Sequence, residues 1–165
     1  MTRTSSRFLL ALLLALPLLT ACHKPTETYS LVSRHAAQAD GGRFTFELDL
    51  DDPACTYATG IAARLNANRI AQPDIELQMS VVAPDGKTAI ERVSFPLKFR
   101  GASWRSNRDE GSMRDYYWPW RENIRVSEAE AGRWRVVITL PDTTQLHAVE
   151  GIGLTSKVTK WEKVN

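Results

Sequence analysis

Four carboxylates crowd the end of one alternating run: Glu47, Asp49, Asp51 and Asp52. That density suggests a hard cation such as calcium, which takes roughly six to eight converging oxygens, usually from one loop. Glu47, Asp49 and Asp51 share one parity, however, so an extended backbone turns all three to the same side. They read as a solvated strand face. No cysteine or histidine spacing fits zinc. No nucleophile elbow, phosphate loop or paired-histidine motif is present, and the three histidines lie far apart in the sequence. The chain reads as non-enzymatic, with no metal and no cofactor implied.

The two cysteines have different chemistry. Cys55 opens a strand-like segment and reads as a buried, inert thiol. A reactive one would need a histidine or a cation beside it. Cys22 closes "LLTAC", where a leucine-rich run ends abruptly. Before that run stands "MTRTSSR", with Arg3 and Arg7 and no acid. A basic lead followed by an apolar stretch is the order of a secretory signal. The stretch is shorter than the roughly 18–20 residues that span a bilayer, and Pro17 interrupts it. Leu19-Thr20-Ala21-Cys22 matches the bacterial lipobox. Small residues fit the peptidase beside the cut, the thiol takes a diacylglycerol, and the freed amine is then acylated. Each buried methylene contributes about 0.8 kcal/mol, so one chain holds marginally and two or three hold permanently. The expected organisation is a signal peptide at 1–21, a lipidated tether at 22–28 and one domain at 29–165, with membrane lipid as a partner through Cys22. His23, not aspartate, follows the cysteine, and "HKPTET" has no acidic cluster. Both point to the outer membrane, on its periplasmic face.

A third group is aromatic: Trp104, Tyr116, Tyr117, Trp118 and Trp120. Flat rings on a β-sheet stack on sugar faces, and they also anchor protein interfaces. Parity separates them. Tyr116, Trp118, Trp120, Ile124 and Val126 fall on one face, and the last two are core residues by type. That leaves Tyr117 and Trp104 outward, with Arg121 and Arg125 expected beside Tyr117. Trp104, Tyr117, Arg121 and Arg125 are thus the candidate partner-binding residues, and Trp118, Trp120 and Trp134 the candidate core. The chain has 21 basic and 19 acidic residues. Loss of Arg3 and Arg7 with the signal leaves it formally neutral, which argues against nucleic acid as a partner.

The elements that carry these residues are short strands. "FTFELDL" alternates strictly, with Phe44, Phe46, Leu48 and Leu50 on one face. "YATGIAARL" groups Tyr57, Ile61, Ala63 and Leu65, and "IELQMSV" groups Ile75, Leu77, Met79 and Val81. "APDGK" is a tight turn with Gly86 suited to positive φ. "VSFPLKF" resumes with Val93, Phe95, Leu97 and Phe99 inward, and Pro96 assigns it to an edge or a bulge. A polar loop over 101–112 leads into "DYYWPWRENIRV". "RWRVVITL" and "VEGIGLTSKVTKW" finish the chain. Seven or eight strands with turn signals between them predict an all-β, antiparallel β-sandwich, jelly-roll-like.

In this order the chain resembles the gliding-motility lipoprotein H (GldH) family of Bacteroidetes. The likeness rests on the lipobox, "FTFELDL", "RLNANR", "PDGK", a tryptophan-bearing loop, "WPWRENIRV", "GRWRVVI" and a closing "GIGL". The last is more compact than the family's usual Gly-Ile, spacer, Val-Gly ending. The resemblance spans essentially the whole mature chain. It implies an accessory lipoprotein of the gliding and type IX secretion machinery, acting through protein partners in an envelope complex and catalysing nothing. The alternative is a carbohydrate-binding outer-membrane lipoprotein.

Overall fold

The computed structural model describes residues 27–97 and 112–161. Its strands are β1 (Glu27–Ser33), β2 (Phe44–Leu50), β3 (Cys55–Asn66), β4 (Asp74–Val82), β5 (Thr88–Pro96), β6 (Met113–Ile124), β7 (Gly132–Thr139) and β8 (Val149–Trp161). Two short helices, α1 (Arg34–Ala39) and α2 (Thr143–Leu146), join strands at one end of the molecule. The strands form two four-stranded antiparallel sheets, ordered β1-β8-β3-β6 and β2-β7-β4-β5. Every connection crosses to the other sheet except the β4–β5 hairpin. This is the jelly-roll order, two Greek keys wrapped into a sandwich.

The alternating runs explain why the sheets face one another. Phe44, Phe46, Leu48 and Leu50 of β2 are all buried, as are Ile75, Leu77, Met79 and Val81 of β4. Across from them lie Ile61, Ala63 and Leu65 of β3 with Ile152 and Leu154 of β8. A period of two places every second side chain on the inner face, and burial of that face drives the layers together. The β4–β5 turn closes as its residues predict. Gly86 has φ +85°, and its N–H donates to the Ala83 carbonyl at 2.9 Å. β5 is an edge strand, the place where Pro96 is tolerated.

Two elements depart from the sequence expectation. The first strand is not "FTFELDL" but β1, which begins inside the segment read as tether. Its residues are mostly exposed, so no apolar alternation marks it. Backbone pairing with β8, from Glu27 opposite Lys157 to Ser33 opposite Gly151, makes it a strand. The second departure is a bulge in β6. Pro119 stands opposite Gly60, yet Arg121 stands opposite Thr59, so Trp120 is the extra residue. Side-chain parity slips by one at Arg121, and a second extra residue before Ile124, which stands opposite Tyr57, restores it.

The bulge lies where β6 faces β5 across the sandwich edge. Trp118 is buried and stacks between Phe95, at 5.0 Å between centroids, and Tyr116, at 5.5 Å. Its indole N–H donates to the Pro96 carbonyl at 3.1 Å. Trp120 is half-buried, and its indole N–H donates to Glu91 Oε1 at 2.6 Å. Trp134 is also half-buried against the core and donates to the Glu130 carbonyl at 2.8 Å. All three tryptophans pack as core or core-rim residues, each with its polar handle satisfied.

Candidate binding face

The pairing registers set out the outer face of the β1-β8-β3-β6 sheet row by row. Ser33, Gly151, Arg64 and Asp115 form one row; Leu31, Gly153, Ala62 and Tyr117 the next; Tyr29, Thr155, Gly60 and Pro119 the third. The two central strands therefore carry almost no side chain at the middle of the face, and the two edge strands carry the bulk. The edge side chains fold inward over the gap. A Cβ built on Gly60 would fall within 2.6 Å of Tyr117 Cε2, so that phenol lies over the glycine. A Cβ on Gly153 would fall 2.9 Å from Tyr29 Cε2, and one on Gly151 would fall 3.3 Å from Leu31 Cδ1. Diagonal aromatic cover of a strand glycine is a known sheet device. Thr155 Oγ1 sits beneath the rings, 3.3 Å from the Gly60 carbonyl and 3.5 Å from the Tyr117 hydroxyl.

The result is an apolar platform that remains open to solvent. Tyr29 is 51 % and Leu31 47 % exposed, and they are two of the three exposed large hydrophobics among the described residues. At one end the platform is bounded by a bidentate pair, with Arg64 Nε and Nη2 donating to Asp115 at 2.7 and 2.8 Å.

The candidate residues named from sequence are dispersed. Tyr117 is on this face, half-buried over Gly60. Arg121 is not beside it, contrary to expectation. The bulge turns it to the edge, where its guanidinium donates to Glu91 Oε2 at 2.9 Å and stands 5.2 Å from the centre of the Trp120 ring. Arg125 is exposed beyond the end of β6. Cys22 and Trp104, with most of the 101–112 loop, fall outside the described residues. Tyr29, Leu31 and the three glycines were not picked out. The spacing Gly151-x-Gly153, on a strand whose neighbour carries Gly60, was the available signal, since glycine inside a strand marks close approach of another group.

Other clusters among the described residues are engaged within the fold. Among the described residues no three of His, Cys, Asp and Glu are placed to hold a metal. Glu47 and Asp49 turn outward and meet Arg133 at 3.1 and 3.2 Å. Cys55 is buried at the start of β3. Burial, then the hydrogen bond and charge of Asp52, push its thiol pKa up, away from a reactive thiolate. Tyr57 beside it is raised too, chiefly by burial. An open recess lies at the α2 end of the sandwich, with Leu65, Ile70, Ile75 and Val149 in its wall. Its polar rim is engaged internally. Gln145 accepts from the Glu76 N–H at 3.1 Å and donates to the Asp74 carbonyl at 3.3 Å, serving the start of β4 where β7 has already ended.

No family model and no curated protein matches the chain. Among solved structures, it is similar to TmCBM61, determined in complex with β-1,4-galactotriose. The TM-score is 0.31 at 12% identity, over 82% of this chain and 89% of that one. The coat protein of Tobacco streak virus gives a TM-score of 0.27 at 6% identity, over 88% and 94%. A structure of infectious bursal disease virus, Gx strain, gives 0.25 at 12% identity, over 83% of this chain and 35% of that one. Likeness at this level says nothing about ligand or descent.

Proposed function

We propose that this chain is a lipid-anchored envelope protein that holds a protein partner on the outer face of its β1-β8-β3-β6 sheet. The observation that supports it is the platform itself: Tyr29, Leu31, Tyr117 and Pro119 gathered over a glycine floor, with Tyr29 and Leu31 about half exposed. Contiguous exposed apolar surface of this kind is the usual mark of an interaction site, and tyrosine is a frequent anchor in one. Acylated Cys22 confines the module to the outer membrane, on the periplasmic side, and no bond is made or broken. Following the family resemblance, the partner is a component of the gliding and type IX secretion machinery.

The test is a double change, Tyr29→Ser with Tyr117→Ser. The variant folds and is lipidated, and crosslinked partner recovery falls about 30-fold or more, as loss of two interface anchors would cause. In a gliding host it spreads poorly. Cys22→Ser leaves the domain folded and gives an uncut or soluble product with no lipid-mass increment. Retention of every partner by the double variant overturns the reading.

One observation favours a second reading. Two tyrosine rings laid down on a sheet are also the surface a pyranose ring stacks upon. A specific polysaccharide ligand for the wild type, lost in the same double variant, would replace the protein-partner reading with carbohydrate binding.

A further inference from the structure

We infer that two copies of this chain pair edge to edge through β1, antiparallel about Ser30, joining their β1-β8-β3-β6 sheets into one continuous sheet. The four edge strands differ in how they are protected. β5 carries Pro96 and Arg92, β6 carries Pro119 and the Trp120 bulge, and β2 turns Glu47 and Asp49 outward. Proline, bulges and charge are the devices that stop sheet edges from joining. β1 has none of them along its length. Its register with β8 is unbroken, its one charge is Glu27 at the very start, and it bears Tyr29 and Leu31.

The backbone is oriented for such a join. The Ser30 and Val32 carbonyls lie 3.1 and 3.2 Å from Cβ positions built on Gly153 and Gly151, so they face β8. By the alternation of an antiparallel ladder, the peptide groups of the odd-numbered residues face the other way. Centred on Ser30, the strand is complementary to itself. Tyr29 meets Leu31 of the second copy and Leu31 meets its Tyr29, which are favourable aromatic–aliphatic cross-strand pairs. Glu27 meets Ser33, Thr28 meets Val32, and no like charges are opposed. Every residue of β1 is used. The pairing also suits an anchor at Cys22. The two Glu27 ends stand about 20 Å apart, and each lead from Cys22 to Glu27 reaches about 17 Å, so one membrane surface serves both.

The experiment introduces Ser30→Cys into the full lipidated chain in membranes, beside a differently tagged copy. At the two-fold centre the facing Cα atoms of a non-hydrogen-bonded pair lie about 4.5 Å apart, inside the range a disulfide bridges. Mild oxidation should give a band of twice the chain mass containing both tags. It should exceed by about tenfold the yield from Ile90→Cys, an exposed site on the protected β5 edge. Leu31→Pro added to Ser30→Cys removes an outward N–H while sparing the bonds to β8, so crosslinking is lost and the melting temperature is kept. A monomer only, a crosslinked band of another mass, equal yield from Ile90→Cys, or crosslinking that survives Leu31→Pro each overturns the inference. It does not depend on the partner reading: a monomeric protein that still captures its partner sinks the pairing alone.

Discussion

The two outer faces of this sandwich are built from the same pleat and differ in almost everything else. On the β2-β7-β4-β5 side, Arg133 joins Glu47 and Asp49, and Arg92 donates to Gln78 at 3.3 Å. Charges sit opposite their complements, and Ile90 of β5 is the one exposed large hydrophobic on this side among the described residues. On the β1-β8-β3-β6 side, glycines occupy the central strands and tyrosine and leucine lean in from the edges, with Pro119 exposed in the same row as Gly60. An outward-facing sheet has no need of that second arrangement for solubility. It keeps apolar area in contact with solvent, which is favourable only when something else covers it. The contrast within one fold is what singles out the face proposed to bind.

Changes on the two faces should separate in size, and this is how the contrast can be broken. The largest effect is expected at Gly153→Ala. Its Cβ would press on Tyr29 and stand 3.1 Å from the Ser30 carbonyl, which is backbone and moves only with β1. Overpacking of that kind costs about 1–3 kcal/mol, so urea unfolding should show a clear loss of stability and β1 amides should exchange faster. If stability is unchanged, Tyr29 does not lie over the glycine and the platform is wrong.

Gly60→Ala is a gentler cut. The atoms nearest the new methyl all belong to the outer end of the Tyr117 side chain, which can swing away. Destabilisation below about 1 kcal/mol is expected, together with weakened partner recovery, because the ring leaves its seat. A variant that loses stability but keeps its partner would separate Tyr117 from the binding surface.

The smallest effect belongs to the charged face. The Asp49 hydrogen bond and the charges of Glu47 and Asp49 push the Arg133 pKa up, yet all three side chains are well exposed. Exposed pairs contribute little and are screened by salt. Arg133→Ala should leave the melting temperature within about 2 °C of wild type, with partner recovery intact. Lost binding from this change would reverse the assignment of the two faces.

Much of the fold was legible because burial on one side writes a period of two into the chain. β2 and β4 are the clearest cases, each with four consecutive alternate residues buried. The β4–β5 turn and the edge position of β5 were legible from Gly86 and Pro96, whose backbone demands are local. β1 was not, since an edge strand held by ladder bonds buries too little to be patterned. Arg121 was misplaced for a related reason: parity counting assumes an unbroken register, and the extra residue at Trp120 is created by the fit of β6 against β3. The platform was half seen through Tyr117. Its other half is Tyr29, 88 residues earlier in the chain, and no local pattern relates the two.

What the sequence determined by itself is what depends on neighbours along the chain: which patterned runs are strands, which side of each is apolar, and where the tight turn closes. Tertiary structure alone decided which strands lie side by side. Glycines of β3 and β8 become a common floor only because β8 pairs with both β1 and β3. Ladder bonds are made by the backbone, which is the same at every residue, so strand order follows from how the whole sandwich packs and the side chains then inherit their neighbours.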